Sequence, residues 1–136
     1  MEMWPTGRLL STAARLVEHA WTDALEKRGL THAGMIALHF LDAGPVSQTD
    51  LARRAKVETQ TMSRTVERLE RAGFIERRVD ERDRRRMVVS RTPAGDEAWA
   101  SIRTVESEVF PAQSDSPELR AKLLEIIRRS AAGRWD

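Results

Sequence analysis

The chain has 136 residues, 40% hydrophobic and 32% charged, with a formal net charge of +2 and no cysteine. That length supports one domain with a modest core. The lack of cysteine excludes a disulfide framework, a thiolate zinc site and a thiol redox switch, and no apolar run approaches the roughly 18 residues of a membrane span. No basic-then-apolar secretion signal opens the chain, so a cytoplasmic location without a membrane partner is expected. Charge is unevenly placed. From Ser47 to Thr92 there are 13 Lys/Arg against 8 Asp/Glu, a balance of +5, whereas the remainder holds 10 against 13, a balance of −3. A basic central third is the footprint expected of a polyanion binder.

The first predicted helix runs from about Thr6 to Arg28. Leu9, Ala13, Leu16, Val17, Ala20, Trp21, Ala24 and Leu25 recur at three- and four-residue spacing and form an apolar stripe. Gly29 is placed to end it in a left-handed conformation. Thr31 is a candidate cap for a second helix reaching about Asp42, with Ile36, Phe40 and Leu41 inward, and Gly44-Pro45 stops it. Ser47-Gln48-Thr49-Asp50 opens a third helix, Ser47 as its cap and Asp50 in the place of the usual capping-box Glu or Gln. Leu51, Ala52 and Ala55 are its inward positions, and the pattern breaks around Lys56-Val57-Glu58. A fourth helix follows from about Thr59 to Ala72, burying Met62, Val66 and Leu69, with Gly73 after it.

Phe74 to Val79 reads as a strand and Met87 to Arg91 as its antiparallel return. Between them, Arg82, Arg84, Arg85 and Arg86 place four arginines at the tip of a hairpin. Thr92-Pro93 is a cap followed by proline at the first helical position, opening a fifth helix to about Phe110. Its apolar side carries Ala98, Ile102, Val105 and Val109. Pro111 to Pro117 reads as a loop, and a last helix carries Leu119, Leu123, Leu124 and Ile127. The expected fold is mainly α: an α+β winged helix-turn-helix with six helices and a two-stranded β-wing, in a single domain spanning residues 1–136.

The chemistry of the central third follows from this layout. A helix fits the major groove of B-DNA, where every base pair shows a distinct donor and acceptor pattern. The outward face of the fourth helix carries Thr59, Gln60, Thr61, Ser63, Arg64, Thr65 and Arg68, short polar and forked donors suited to base edges and phosphates. Arg64 is the candidate reader of guanine and Gln60 of adenine. Ser47, Gln48 and Thr49 open the preceding helix and are candidate DNA contacts. Arg84, Arg85 and Arg86 would enter the minor groove, where narrow A·T stretches concentrate negative potential. Asp83 lies two residues before Arg85, close enough across a turn to orient its guanidinium.

Ser47 through Gly95 resembles the winged helix of the MarR family of bacterial transcription regulators. The matching elements are Leu51-Ala52, Val57, Met62 to Val66, Leu69-Glu70 with Gly73-Phe74-Ile75 and Arg77, Asp83-Arg84-Arg85, and Thr92 with Gly95. The resemblance implies a homodimer on double-stranded DNA, usually a repressor reading a pseudo-palindromic operator. On it, residues 31–92 form the DNA-binding unit, and residues 1–30 and 93–136 form the helical dimerisation region, the terminal helices building the dimer interface. It also implies that Asp83 fixes Arg85, and that a small aromatic or anionic effector binds between the helical region and the DNA-binding lobe. His19, Trp21 and His39, with His32, Met35 and Phe40 nearby, are the candidate ligand-binding residues; Trp135 is a candidate for packing across the dimer. One position departs from the family pattern. Arg91 stands where leucine is usual, so the apolar anchor of the second strand is expected to be replaced by a snorkelling side chain.

No cofactor and no metal site is expected, since the histidines lack further ligands at suitable spacing. A catalytic domain is disfavoured because no histidine sits beside paired carboxylates and no glycine-rich phosphate loop occurs. A winged helix used for protein or RNA contact is the competing reading.

Overall fold

The computed structural model describes residues 1–110 and 115–131. In chain order the elements are α1 (Thr6–Glu26), α2 (His32–Phe40), β1 (Val46–Ser47), α3 (Gln48–Ala55), α4 (Thr59–Arg71), β2 (Ile75–Val79), β3 (Met87–Arg91), α5 (Pro93–Val109) and α6 (Pro117–Ala131). Six helices surround a small antiparallel sheet, as expected. Trp135 and most of the 111–117 loop lie outside the described residues; α6 takes in Pro117 at its start.

The sheet has three strands rather than two, in the order β1-β3-β2. Val46 and Ser47 add a short strand to the wing by pairing with Val89 and Val88. Two residues give no alternation to detect, and Ser47 also caps the next helix, so the strand is hidden inside a capping signal. β2 and β3 pair from Ile75 opposite Arg91 to Val79 opposite Met87.

Side-chain chemistry explains the helix boundaries. The Thr31 hydroxyl accepts the Gly34 amide at 3.0 Å, Ser47 accepts Asp50 at 3.1 Å, and Thr92 accepts Gly95 at 3.1 Å. Each satisfies an amide that the helix cannot pair internally. Gly29 and Gly73, at φ of 73° and 83°, turn the chain after α1 and α4.

The core draws on every lobe element. Leu25, Leu38, Leu51, Met62, Val66, Val89 and Val105 are its largest fully buried side chains, each contributing roughly 1.5–3 kcal/mol by its transfer from water. In α2 the inward residues are Ala37 and Leu38, while Ile36 and Phe40 are only half-buried. Of the three residues expected inward, Leu41 is buried, from the turn that follows, and Phe40 packs against the core while partly exposed.

The long stripe on α1 is buried only at its C-terminal end. Only Ala24 and Leu25 of it are buried, and Leu16 is 67% exposed. Among the described residues its N-terminal half is left largely exposed. The apolar side of α6 is similarly open, with Ile127 58% exposed.

Arg91 does not send its charge into water. Its side chain is only 10% exposed, and Nη2 lies 2.6 Å from Asp42 Oδ1 while Nε lies 3.2 Å from Asp96 Oδ1. The guanidinium also sits 5.9 Å from the Trp99 ring centroid. Carboxylates from the turn after α2 and from α5 pair its Nη2 and Nε, while Nη1 is buried without a hydrogen-bond partner among the described residues.

Candidate nucleic-acid interface

The interface is built from α3, α4 and the wing. Lys56, at a left-handed φ of 56°, breaks the helical path between α3 and α4. This turn lets Leu51 and Ala52 face Met62, Val66 and Leu69 in the core. The opposite side of α4 is left to solvent. Thr59, Gln60, Thr61, Arg64 and Arg68 are exposed, and Ser63 and Thr65 are half-buried. The Thr65 hydroxyl donates to the Thr61 carbonyl at 3.0 Å, which commits its proton within the helix. The Arg64 and Arg68 side chains make no hydrogen bond or ion pair among the described residues. Further along the helix Arg71 is engaged by Glu67 at 3.2 Å.

Of the three candidates that open α3, only Thr49 is exposed. Ser47 is 7% exposed and its hydroxyl is used as the cap. Gln48 is half-buried, and its Oε1 has no partner among the described residues. Arg53 and Arg54, by contrast, are exposed cations on this helix that the sequence pattern had not singled out. Their position after Leu51-Ala52, on the polar side of a short amphipathic helix, was the available signal.

A bidentate pair fixes the wing to the end of α4. Arg77 donates to Glu70 through Nη2 at 2.8 Å and Nε at 3.3 Å. These hydrogen bonds hold the Glu70 carboxyl below its ordinary range and raise the Arg77 guanidinium above its own. At the other end, Thr92 Oγ1 donates to the Gly73 carbonyl at 2.6 Å and its amide donates to the Phe74 carbonyl at 3.1 Å.

Wing-tip order comes from its carboxylates. The Asp80 amide donates to the Arg86 carbonyl, and the Arg86 amide to the Asp83 carbonyl, both at 2.9 Å. Asp83 Oδ1 accepts both the Arg85 amide and Arg85 Nε at 3.1 Å. Those bonds from Arg85, first the side chain and then the amide, hold the Asp83 carboxyl below its usual value. Arg85 remains 91% exposed, so its remaining donors point into solvent from an oriented stem. The Arg84 side chain has no partner among the described residues. Arg86 is drawn the other way: its Nη2 lies 3.5 Å from Asp50 Oδ2 on α3.

The ligand candidates are not brought together. His39 lines a cleft of about 480 Å³ with Asp42, Trp99, Ile102, Arg103 and Glu106. Its ring lies 5.3 Å from that of Trp99. Trp21 lines a neighbouring cleft of about 670 Å³ that shares Arg103 and Glu106. His19 lines neither; it is 80% exposed beside Asp23 at 3.7 Å. Among the described residues no group of three or more His, Asp or Glu side chains is placed to hold a metal ion. No helix among them is long and apolar enough to cross a membrane.

Two short helices joined by a tight turn, the second with a polar outer face, and a cationic hairpin behind them define a winged helix-turn-helix protein. The chain matches the MarR family model over residues 28–86. Its structure is similar to that of Sco3205, a MarR family transcriptional regulator from Streptomyces coelicolor solved in complex with DNA. That likeness has a TM-score of 0.80 at 26% identity and covers 96% of this chain and 89% of that one. A crystal structure of MarR is 30% identical, with a TM-score of 0.72 over 96% of this chain and 91% of that one. The HTH-type transcriptional regulator YwoH of Bacillus subtilis is 33% identical over 81 residues, and the match spans 59% of each protein's length. The chain belongs to the MarR family.

Proposed function

We propose that this protein is a sequence-specific, double-stranded-DNA-binding transcription regulator, acting as a ligand-responsive homodimeric repressor on a pseudo-palindromic operator. One observation carries the reading: α4 buries Met62, Val66 and Leu69 and presents exposed Gln60, Thr61, Arg64 and Arg68 on its other side. Forked donors without protein partners on a groove-sized helix are the means by which base edges are read. Arg84 and the Asp83-aligned Arg85 reach for the flanking minor groove. The similar Sco3205 was solved in complex with DNA, which supports DNA as the partner.

The dimer follows from the uncovered apolar sides of α1 and α6. Leu9, Leu10 and Leu16 on the first, and Leu119, Ile126 and Ile127 on the second, are each at least 37% exposed. A second copy covering them would remove that surface from water and place two α4 helices on one duplex. The cleft beside His39 and Trp99 suits a small aromatic effector stacked on the rings, its anionic group held by Arg103 away from the Asp42 and Glu106 carboxylates on the same lining.

Selection of bound duplexes from a random pool tests the proposal directly. A two-fold symmetric consensus, together with a dimer on sizing, is the expected result. Recovery of no consensus at low ionic strength, or a monomer at micromolar concentration, would overturn it.

A further inference from the structure

We propose that Asp50 is a specificity-determining residue that withholds two arginines from the DNA backbone and braces the wing against α3. The inference rests on the DNA-binding reading above.

Asp50 occupies the third position of α3, where a carboxylate is ordinarily explained by the helix dipole and the capping pattern. Its geometry goes further. Oδ1 lies 2.7 Å from Arg53 Nη2, one turn along the same helix. Oδ2 lies 3.5 Å from Arg86 Nη2, which belongs to the wing 36 residues away. The carboxylate is 30% exposed, so it sits in the notch between the helix-turn-helix and the hairpin rather than out in solvent. The Arg86 backbone is fixed, its amide and carbonyl both engaged in the wing turn at 2.9 Å, so the side chain reaches Asp50 from a held position.

The tip arginines are thereby sorted into three states. Arg84 is unpaired among the described residues, Arg85 is aligned outward by Asp83, and Arg86 is turned inward to Asp50. Sequence-independent affinity for DNA grows with each cation that displaces a phosphate counterion, whereas base reading depends on α4. A carboxylate that occupies Arg53 and Arg86, and itself repels phosphate, lowers the first quantity and leaves the second. Discrimination rises because the background falls.

Binding of the full chain to a selected duplex and to a scrambled one, each across a salt series, tests this with Asp50→Asn, Asp50→Glu, Arg86→Gln and the Asp50→Asn/Arg86→Gln double variant. Asp50→Asn is expected to tighten scrambled binding about fivefold and to steepen the log–log salt slope by about 1.8, about 0.9 for each released arginine, with a fall in the selected-to-scrambled ratio. Asp50→Glu keeps the wild-type slope. Arg86→Gln alone moves the slope by less than half of 0.9, whereas in the Asp50→Asn background it removes about 0.9. A full loss of that size from Arg86→Gln alone would overturn the proposal, and this variant leaves the α3 cap intact. So would a wild-type ratio and slope in Asp50→Asn. Wild-type protein that binds neither duplex would instead refute the regulator reading, which separates the two failures.

Discussion

Arg91 on the last residue of β3 and Asp42 beyond the end of α2 are joined by a 2.6 Å ion pair across 49 residues. Arg91 also reaches Asp96 in the first turn of α5, so one largely buried guanidinium ties together the wing, the turn after α2 and the start of α5. Truncation to Ala removes a packed stem and leaves two carboxylates unpaired. Arg91→Ala is expected to cost about 2–3 kcal/mol, whereas Arg91→Leu restores the packing and costs less, about 1 kcal/mol. Asp42→Asn costs under about 1 kcal/mol, because Asp42 is 64% exposed and water replaces much of the lost contact. Urea unfolding of the three variants gives the order; equal losses for Ala and Leu would show that packing contributes nothing.

Gly95 is buried in the first turn of α5, where a Cβ would overlap the Phe74 carbonyl oxygen. That oxygen already accepts the Thr92 amide, so it cannot withdraw without breaking the joint between wing and helix. Gly95→Ala is expected to destabilise the fold by about 1–3 kcal/mol through overpacking. An unfolding midpoint unchanged from wild type would show that the turn yields freely.

For the DNA-reading face, Arg64→Ala is expected to cost about 1–3 kcal/mol against the selected duplex and to relax preference at one base-pair position. Competition with duplexes varied at each position makes the measurement. A uniform loss across all sequences would reassign Arg64 to a phosphate.

The Glu70–Arg77 bridge has a pH signature. Glu70 is held below its ordinary value of 4.5, so in the folded state it keeps its charge to lower pH than in the unfolded chain. The stability it contributes is present above that value and fades as pH falls through the lower folded value. Glu70→Gln is therefore less stable than wild type near about pH 6, and the difference closes toward about pH 3. Chemical denaturation at several pH values reads it, and a gap of constant size would rule out the linkage.

What the sequence disclosed and what it hid divide by range. The caps at Thr31, Ser47 and Thr92 and the turns at Gly29 and Gly73 are governed by residues within a few positions, and each stands where the spacing placed it. So does the Asp83 contact to Arg85. Partnerships across dozens of residues carry no local mark. Asp50 looked like a capping residue, and nothing near it announced Arg86. Arg91 was visible as a misfit, but its partners Asp42 and Asp96 were not. The α1 stripe was legible as apolar, but of it this chain buries only Ala24 and Leu25, since periodicity marks an apolar face and not what covers it.

The Thr92 side chain grips Gly73 while its backbone grips Phe74, at the spot where α5 begins. Strand, helix and turn thus share one pivot with little slack. Neither α5 nor the hairpin can turn about this point without the other unless the Thr92 bonds break.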